Sequence, residues 1–390
     1  MRRRDCILSR VVRQVSLHAS VVIPLWNGAE VIEACIRAIY QQSGPALGEV
    51  IVVDNASSDG GAALVTASFP QARLLAQPVN LGFAGGVNAG MAAARHDLFV
   101  LVNQDCLVEP GWLDALIAGL DADDGYGIAG CTILNADGSV NHAGATLDLP
   151  LAYGRHLTEP GADTPRPADY VTGAIFAVRR TTWDAIGAMD EGFYPAYFEE
   201  TDYCFRARHH GIAVGYVPRA RARHLFSSRA WQQDPIRHLA NQHQSRYRFV
   251  AKHFASGELG TFFVAEAAAI EREPLHFEAV GRLLGARSTL RALPAIVERA
   301  EIDRGEKLDA VRRRQLEVGF THLWRASFAA AQRLMQDAYP DAPWSRFVRS
   351  SLMPLLDRAT GGNSVERSAH RTGLAARTRL LEILAEYEYR

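Results

Sequence analysis

Short apolar runs alternate with helix-like spacing of apolar residues through the first half of the chain. The continuous runs predict four strands, at HASVVIPL, EVIVVD, ARLLAQ and DLFVLV. Between them, the apolar spacing predicts helices at GAEVIEACIRAIYQQ, GGAALVTASF and AGGVNAGMAAAR, and Asn27 is the predicted cap of the first. Because nearly continuous Val, Ile and Leu strands need cover on both faces, the pattern predicts a doubly wound α/β fold with a mostly parallel sheet.

The pattern changes twice in the remainder of the chain. Residues 121–170 are rich in turn-forming Gly, Asn, Asp and Pro, and we expect mostly loop there. Order returns with a strand at AIFAVRR, helices at TTWDAIG and EETDYCFRARHHG, and a final strand at AVGYVPRARARHLF. Past residue 235 the pattern is helical. We predict an N-terminal extension at 1–17, an α/β domain at 18–255 and a helical C-terminal region at 256–390, with 300–307 as an alternative boundary.

Composition excludes several classes of protein. The chain has 390 residues, 22% of them charged, and a net charge of −1, so it carries no electrostatic signature of nucleic-acid binding. Its five cysteines form no CxxC pair, which favours reduced thiols over disulfides or a zinc site. The basic N-terminus lacks the apolar run of a signal peptide, and no apolar stretch approaches the roughly 20 residues that cross a bilayer. We expect a cytoplasmic protein, either soluble or peripheral at the inner face of the plasma membrane.

Polar residues follow each predicted strand of the first half. The strands end in PLWN, DNASSDG, PVNLGFAGGVNAG and NQD. Because ligands of open α/β sheets bind beyond the carboxyl ends of parallel strands, we expect these four loops to form one site. The glycines of the third loop suggest a dinucleotide-binding turn, but that fingerprint follows the first strand and has different spacing, so we reject it.

Seven segments in chain order carry a resemblance to a known family. They are VVIPLWNG, VIVVDNASSDG, NLGFAGGVNAG, FVLVNQD, VTGAIFAVRR, FEETDYCFRAR and RHLFSS. Across residues 18–255 the chain resembles family 2 glycosyltransferases of the GT-A fold, in their rhamnosyltransferase-like branch. The resemblance implies an inverting enzyme that moves L-rhamnose from dTDP-rhamnose, or a hexose from a UDP-sugar, to a hydroxyl of a cell-surface glycan or lipid-linked glycan precursor.

The resemblance also implies a donor site. Asp54 would accept from the pyrimidine ring of the nucleotide, although a turn carboxylate that caps the next helix is the alternative reading. Asp59 fits a cap equally well, so its role stays open. The implied donor-binding residues are Pro24, Asn27, Asp54, Asn80, Gly82, Gly85, Asn88, Asn103, Gln104 and Gly173.

A divalent metal, Mg²⁺ or Mn²⁺, is implied at the end of the fourth strand. The growing charge of a diphosphate leaving group is best met by a hard cation with oxygen ligands, and Asp105 supplies one. The family motif is D-x-D, and here Asn103 replaces its first Asp, which weakens the expected metal affinity. His224 matches the position that completes the metal shell, and Mn²⁺ tolerates an imidazole better than Mg²⁺. The alternative is a histidine simply buried after a strand.

Three carboxylates on one predicted helical turn are candidates for the catalytic base. An acceptor hydroxyl needs a nearby carboxylate to take its proton as the new bond forms. By resemblance the base is Glu200, Asp202 orients the acceptor or the helix, and Glu199 is the third candidate. The alternative for each is favourable charge at a helix N-terminus.

Two rival functions and three roles for the tail remain open. A nucleotidyltransferase-like enzyme would show a basic, glycine-rich phosphate loop after the first strand, where this chain has PLWNGAE. A non-catalytic glycan-binding protein would not need Asp54, Asp105, Glu200 and His224 together. The Arg-rich helical tail could form a homo-oligomer, touch an anionic membrane, or present a solvated face.

Overall fold

A computed structural model describes residues 18–122, 125–225 and 235–338 of the chain. The expected N-terminal extension, the end of the RHLFSS motif and the tail from residue 339 lie outside these residues. Within them the strands are β1 (Ala19–Leu25), β2 (Leu47–Asp54), β3 (Arg73–Ala76), β4 (Leu98–Val102), β5 (Cys106–Val108), β6 (Ile128–Leu134), β7 (Val140–His142), β8 (Ala145–Asp148), β9 (Tyr153–His156), β10 (Arg166–Pro167), β11 (Ile175–Arg179) and β12 (Val214–His224).

The helices fall into two groups along the chain. Those of the α/β part are α1 (Ile32–Gln42), α2 (Gly61–Ser68), α3 (Gly82–Ala93), α4 (Trp112–Leu120), α5 (Arg180–Ile186) and α6 (Glu199–His209). Four longer helices follow: α7 (Pro235–His253), α8 (Ser256–Glu271), α9 (His276–Arg304) and α10 (Ala310–Ala338). None of the helices in the described part of the chain is long and apolar enough to cross a membrane.

The predicted doubly wound sheet is confirmed. The main sheet runs in the order β10-β12-β6-β11-β4-β1-β2-β3, and β3, β2, β1 and β4 pair in parallel. Every residue of β1 is buried, and alternate residues face opposite layers. Val21 and Ile23 pack in the cluster that contains α1, whereas Val22 packs with α3. Helical cover on both faces explains why the strand reads as a continuous apolar run.

The expectation of loop across residues 121–170 was wrong for β6. This strand lies inside the sheet, between β11 and β12, and all of its residues are buried. Its sequence IAGCTIL gives no alternation, and turn-rich segments flank it, so the turn signals masked a central strand. Gly130 fits because an added Cβ would lie 2.5 Å from the Cβ of Val171. The sheet is therefore mixed, with β11 antiparallel to both β4 and β6.

The predicted cap at Asn27 was also wrong. The helix α1 begins at Ile32, and Asn27 has a left-handed backbone with φ of 48°. Its side-chain Oδ1 instead accepts the backbone N–H of Ser58, 2.9 Å away in the loop after β2. Asn27 thus ties the loops of β1 and β2 together rather than starting the helix.

A helical layer packs on the α/β part through its own apolar core. Aromatic side chains of α7, α8 and α10 meet there, including Tyr247, Phe262 and Phe320. The same core takes in Phe193, which precedes α6. The layer begins with α7 at Pro235 and so uses residues on both sides of position 256.

A buried ion cluster joins the helical layer to α6. The ammonium of Lys252, on α7, lies 2.8 Å from a carboxylate oxygen of Asp190, 2.6 Å from one of Asp202 and 2.9 Å from one of Asp303. The Lys252 side chain is fully buried. Asp202 lies on α6 and Asp303 on α9, so one cation holds three separate segments. We call this group the Lys252 cluster.

Substituting Lys252→Met tests the Lys252 cluster. We expect the free energy of unfolding to fall by about 3–5 kcal/mol, because the change leaves buried carboxylates without their shared cation. Lys307→Met is the matched control, since that side chain is 83% exposed in its ion pair with Glu301. Denaturant unfolding followed by circular dichroism measures both, and equal stability of the two variants would contradict the assigned role.

Candidate active site

The loops predicted to converge do line one cavity, which we call the strand-edge cavity. It has a volume of about 410 Å³ and lies beyond the carboxyl ends of β1 and β4. Predicted donor and metal residues line it, namely Pro24, Asn80, Gly82, Asn103, Gln104, Asp105 and His224. The segment before α6 closes it with Tyr194 and Tyr197.

Side-chain amides fix the loops around this cavity. Asn55 accepts the backbone N–H of Leu81 and donates to the carbonyl of Gly82, which fixes the start of α3. Asn80 accepts the N–H of Gly82, and Gly82 itself has a left-handed φ of 73°. An added Cβ at Gly82 would approach the ring of Tyr194 to 2.7 Å, so only glycine fits at this turn.

Other residues predicted to bind the sugar donor make hydrogen bonds to neighbouring loops in the structure. The amide of Gln104 pairs with both backbone groups of Trp26, at 2.9 and 3.3 Å. Asn88 is buried and its amide bonds the backbone of Met189 and the carboxylate of Glu191. Asn88 and Gly85 are absent from the described linings of the cavities in the α/β part.

The two carboxylates of the loop after β2 both accept backbone N–H groups. Asp54 is 7% exposed, and its Oδ1 accepts the N–H of Ser57 at 3.0 Å. Asp59 accepts from Ala29 and Gly61. Although slight burial opposes it, these backbone donors lower the pKa of Asp59. Asp59 therefore acts as a loop-fixing carboxylate, and Asp54, like Asn88 and Gly85, is absent from the described linings of the two cavities.

Asp105 and His224 form the candidate metal site. The strand pairing of β5 with β12 sets Cys106 opposite His224, which brings the imidazole Nε2 to 3.0 Å from Oδ1 of Asp105. Ligand atoms of Asp105, Cys106 and His224 lie within 4.8 Å of one another. Burial raises the pKa of the Cys106 thiol well above its ordinary value, so it stays a neutral thiol. The remaining carboxylate and imidazole are a donor set that suits Mn²⁺.

Asn103 lies where two cavities meet. The second is the helix-edge cavity, with a volume of about 590 Å³, and its lining shares Phe83, Asn103, Ala196 and Tyr197 with the strand-edge cavity. Oδ1 of Asn103 is buried and has no hydrogen-bond partner among the described residues. A buried oxygen without a partner costs about 1–3 kcal/mol, so Asn103 offers a ready acceptor to a bound sugar hydroxyl or a metal-bound water.

The first turn of α6 brings Glu199 and Glu200 to the helix-edge cavity. Before it, Tyr197 and Phe198 both have left-handed backbones, with φ of 86° and 69°. Such a conformation costs about 1–3 kcal/mol per residue and persists only where packing enforces it. The ring of Phe198 packs 5.6 Å from that of Phe249 on α7. The helical layer thus helps to aim the two carboxyl groups.

Burial raises the pKa of both carboxyl groups. Burial raises the pKa of Glu200, while hydrogen bonding from the backbone N–H of Gly173 works in the opposite direction. Burial and the adjacent Glu200 raise the pKa of Glu199 well above its ordinary value. Gly173 lies against Glu200 on this side, and it lines the helix-edge cavity rather than the donor-side cavity for which it was predicted.

Asp202, the third predicted catalytic carboxylate, belongs to the Lys252 cluster. Its side chain is fully buried and also pairs with Arg206 and His253. Although burial opposes it, the Lys252 ammonium, a hydrogen bond with His253 and the Arg206 guanidinium hold the pKa of Asp202 well below its ordinary value. A strongly ionised carboxylate that lines neither cavity cannot take a proton from an acceptor, so Asp202 holds the helix.

Sequence reasoning missed two parts of the lining of the helix-edge cavity, one from β9 and one from α7 and α9. Tyr153 and His156 come from β9, in the segment that was expected to be loop. The opposite wall belongs to α7 and α9, with Leu239, Gln242, His243, Arg246 and Glu278. Only a helical pattern marked these residues in the sequence.

Comparisons with known proteins find a family that part of the chain resembles. Residues 20–184 match the family model described as Glycosyl transferase family 2. GalNAc-T7, solved with UDP, GalNAc and Mn²⁺, superposes with a TM-score of 0.54 at 14% identity, over 83% of this chain and 58% of its own. Residues 20–184 are therefore similar to glycosyltransferase family 2, and the fold is the GT-A fold.

Curated relatives match about half of the chain. The N-acetylglucosaminyl-diphospho-decaprenol L-rhamnosyltransferase of Mycobacterium tuberculosis (strain ATCC 25618 / H37Rv) is 28% identical over 229 residues, 52% of this chain and 74% of the relative. The low-salt glycan biosynthesis hexosyltransferase Agl10 of Haloferax volcanii is 27% identical over 47% of this chain and 60% of the relative. Protein y4gI of Sinorhizobium fredii is 27% identical, and this chain spans only 25% of its length.

Replacing the candidate metal ligand tests the metal site directly. Asp105→Asn should lower the affinity for Mn²⁺, measured by calorimetry with dTDP present, by at least about tenfold, because an anionic ligand is lost. Asp97→Asn is the control, since Asp97 precedes β4 where Asp105 follows it, and its side chain is 80% exposed. Wild-type Mn²⁺ affinity in Asp105→Asn would rule out this site.

Proposed function

We propose that the chain transfers a sugar from a nucleoside diphosphate donor in the strand-edge cavity to an acceptor hydroxyl in the helix-edge cavity. The supporting observation is the junction of the two cavities at Asn103 and Tyr197. The candidate metal ligands lie on one side of this junction and a carboxyl pair of raised pKa on the other. Direct transfer between two joined cavities needs this order of groups.

We favour L-rhamnose carried on dTDP as the donor. The mycobacterial relative is named for L-rhamnose transfer to an N-acetylglucosaminyl-diphospho-lipid, and that name supplies both substrate classes. A hexose from a UDP-sugar is the alternative, since the Haloferax relative is named a hexosyltransferase. For either donor, the second oxygen of Asp54 would accept from the pyrimidine ring at the end of β2.

The donor end of the reaction depends on charge. Asp105 and His224 would hold Mn²⁺ or Mg²⁺, and the ion supplies stabilisation for the charge that develops on the diphosphate. Asn103 then accepts a hydrogen bond at the junction, where its Oδ1 is unpartnered among the described residues. Tyr194 and Tyr197 cover the donor and limit the entry of water.

The acceptor end needs a base. As the acceptor oxygen forms its bond to the anomeric carbon, the bond to the diphosphate breaks and the acceptor proton passes to Glu200. One displacement of this kind inverts the anomeric centre and requires no nucleophilic carboxylate. A carboxylate with a raised pKa is a stronger base than an ordinary one, which suits Glu200 to this step.

A donor screen tests the proposed function. The purified chain is given dTDP-rhamnose, UDP-glucose or UDP-N-acetylglucosamine with a short-chain N-acetylglucosaminyl-diphospho-lipid, and release of nucleoside diphosphate is measured with and without Mn²⁺. We expect release that depends on acceptor and Mn²⁺, and fastest with dTDP-rhamnose. Release that is equal without acceptor, or absent with every donor, would overturn the proposal.

Glu200→Gln tests the assigned base. The amide keeps the shape but cannot take a proton, so we expect transfer to slow by roughly 10²–10⁴-fold while dTDP affinity and thermal stability stay close to wild type. Wild-type transfer should fall as pH drops through the raised pKa of Glu200, because the protonated group is no longer a base.

Asp202→Asn is the structural comparison for this test. It should lower the free energy of unfolding, since it weakens the Lys252 cluster, and lower the rate less than Glu200→Gln does. If Glu200→Gln transferred at a near-normal rate while Glu199→Gln abolished transfer with dTDP binding intact, the base would be Glu199 instead.

A further inference from the structure

Glu199 is a buried carboxyl group for which the transfer step has no use. It begins α6, is 4% exposed and lines the helix-edge cavity next to Glu200. Its Oε2 is buried and has no hydrogen-bond partner among the described residues. A buried carboxylate oxygen with no donor is costly, so this oxygen either carries a proton or awaits a ligand.

The surroundings of Glu199 offer it no counter-charge among the described residues. From α6 it meets the charges of Glu200 and Asp202, both of which make ionisation harder. The titratable groups that line the same cavity from other elements are Tyr197 before α6, Tyr153 and His156 on β9, Tyr170 before β11, His243 and Arg246 on α7, and Glu278 on α9.

The basic side chains of that lining are either paired with another carboxylate or have a lowered pKa. Arg246 donates to both carboxylate oxygens of Glu266, at 3.0 and 2.5 Å. Burial lowers the pKa of His243 to about 4, so its ring is neutral near pH 7, and it bonds Glu278 at 2.9 Å. Burial also lowers the pKa of His156. Ionising Glu199 would therefore place a second negative charge beside Glu200, and only the backbone N–H groups of Glu199 and Tyr197 would offset it.

We infer that Glu199 is a neutral carboxylic acid that donates its O–H to a hydroxyl oxygen of the acceptor sugar, beside the hydroxyl that Glu200 deprotonates. The inference rests on the proposed function. It assigns opposite roles to two neighbouring residues of one type, since Glu199 supplies a hydrogen-bond donor and Glu200 an acceptor. A sugar with adjacent hydroxyl groups fits this pair, because one oxygen can accept while the other gives up its proton.

Infrared spectroscopy tests the protonation without any substrate. At pH 7 the wild-type chain should show the C=O stretching band of a protonated carboxylic acid that Glu199→Gln lacks and Glu200→Gln retains. The band should disappear as pH rises through the raised pKa of Glu199. Loss of the band in Glu200→Gln but not in Glu199→Gln, or an identical spectrum for wild type and Glu199→Gln, would overturn the inference.

Kinetics test the hydrogen bond to the acceptor, with dTDP-rhamnose and a short-chain N-acetylglucosaminyl-diphospho-lipid as substrates. Glu199→Met, which has similar length and no donor, should raise the acceptor KM at least about tenfold, the worth of one lost hydrogen bond. Glu199→Gln should recover most of that loss, because its amide can donate. Wild-type acceptor KM should rise at high pH, whereas that of Glu199→Gln should not.

The two variants separate the inference from its alternatives. Equal losses in Glu199→Gln and Glu199→Met, with dTDP affinity intact, would mean that the group works as an anion. Wild-type KM in Glu199→Met would mean that it only packs. If the wild-type chain transferred no sugar, the proposed function would be wrong. The infrared band would still show whether Glu199 is protonated.

Discussion

A single buried ammonium holds α6, the helix that carries the candidate base, in place. Lys252 reaches from α7 to carboxylates that precede α6, lie within it and lie on α9. Burying a charge is unfavourable unless every partner is supplied, and here the partners come from segments that are far apart in sequence. The helical layer cannot shift relative to α6 without separating these charges. The ion pair between Asp202 and Lys252 therefore helps to fix the position of the carboxyl pair at the start of α6.

The strained entry to α6 is the other half of this arrangement. Tyr197 and Phe198 adopt left-handed backbones that neither residue favours. Contacts on both sides hold them there, since Phe198 packs on Phe249 and the Tyr197 hydroxyl lies 2.9 Å from Nδ1 of His238. Helix anchoring and loop strain together point two carboxyl groups into a cavity where burial raises their pKa values.

The sequence predicted the parts of the site that depend on local pattern. The apolar runs of β1, β2 and β4 end in polar loops, and the parallel-strand rule correctly brought Asp105 and Asn103 to one edge. The pairing of β5 with β12, which places His224 beside Asp105, follows from family resemblance but not from periodicity. Asp202 could not be separated from Glu200 by pattern, because its partner Lys252 lies far along the chain. The contribution of Arg246 and Glu278 to the helix-edge cavity could not be predicted for the same reason.

The two cavities are lined by partly different segments of the chain. The strand-edge cavity is lined by the segment that matches the family model together with residues before α6 and residues of α7, whereas Leu239 and Gln242 of α7 and Glu278 of α9 form a wall of the helix-edge cavity only. Substitutions at Leu239 or Gln242 alter that wall without touching Asp105, His224 or the loops of the sheet. If the helix-edge cavity takes the acceptor as proposed, lineages with the same strand loops can differ in what they glycosylate through these helix residues, so that similarity across the sheet is a poor guide to the acceptor.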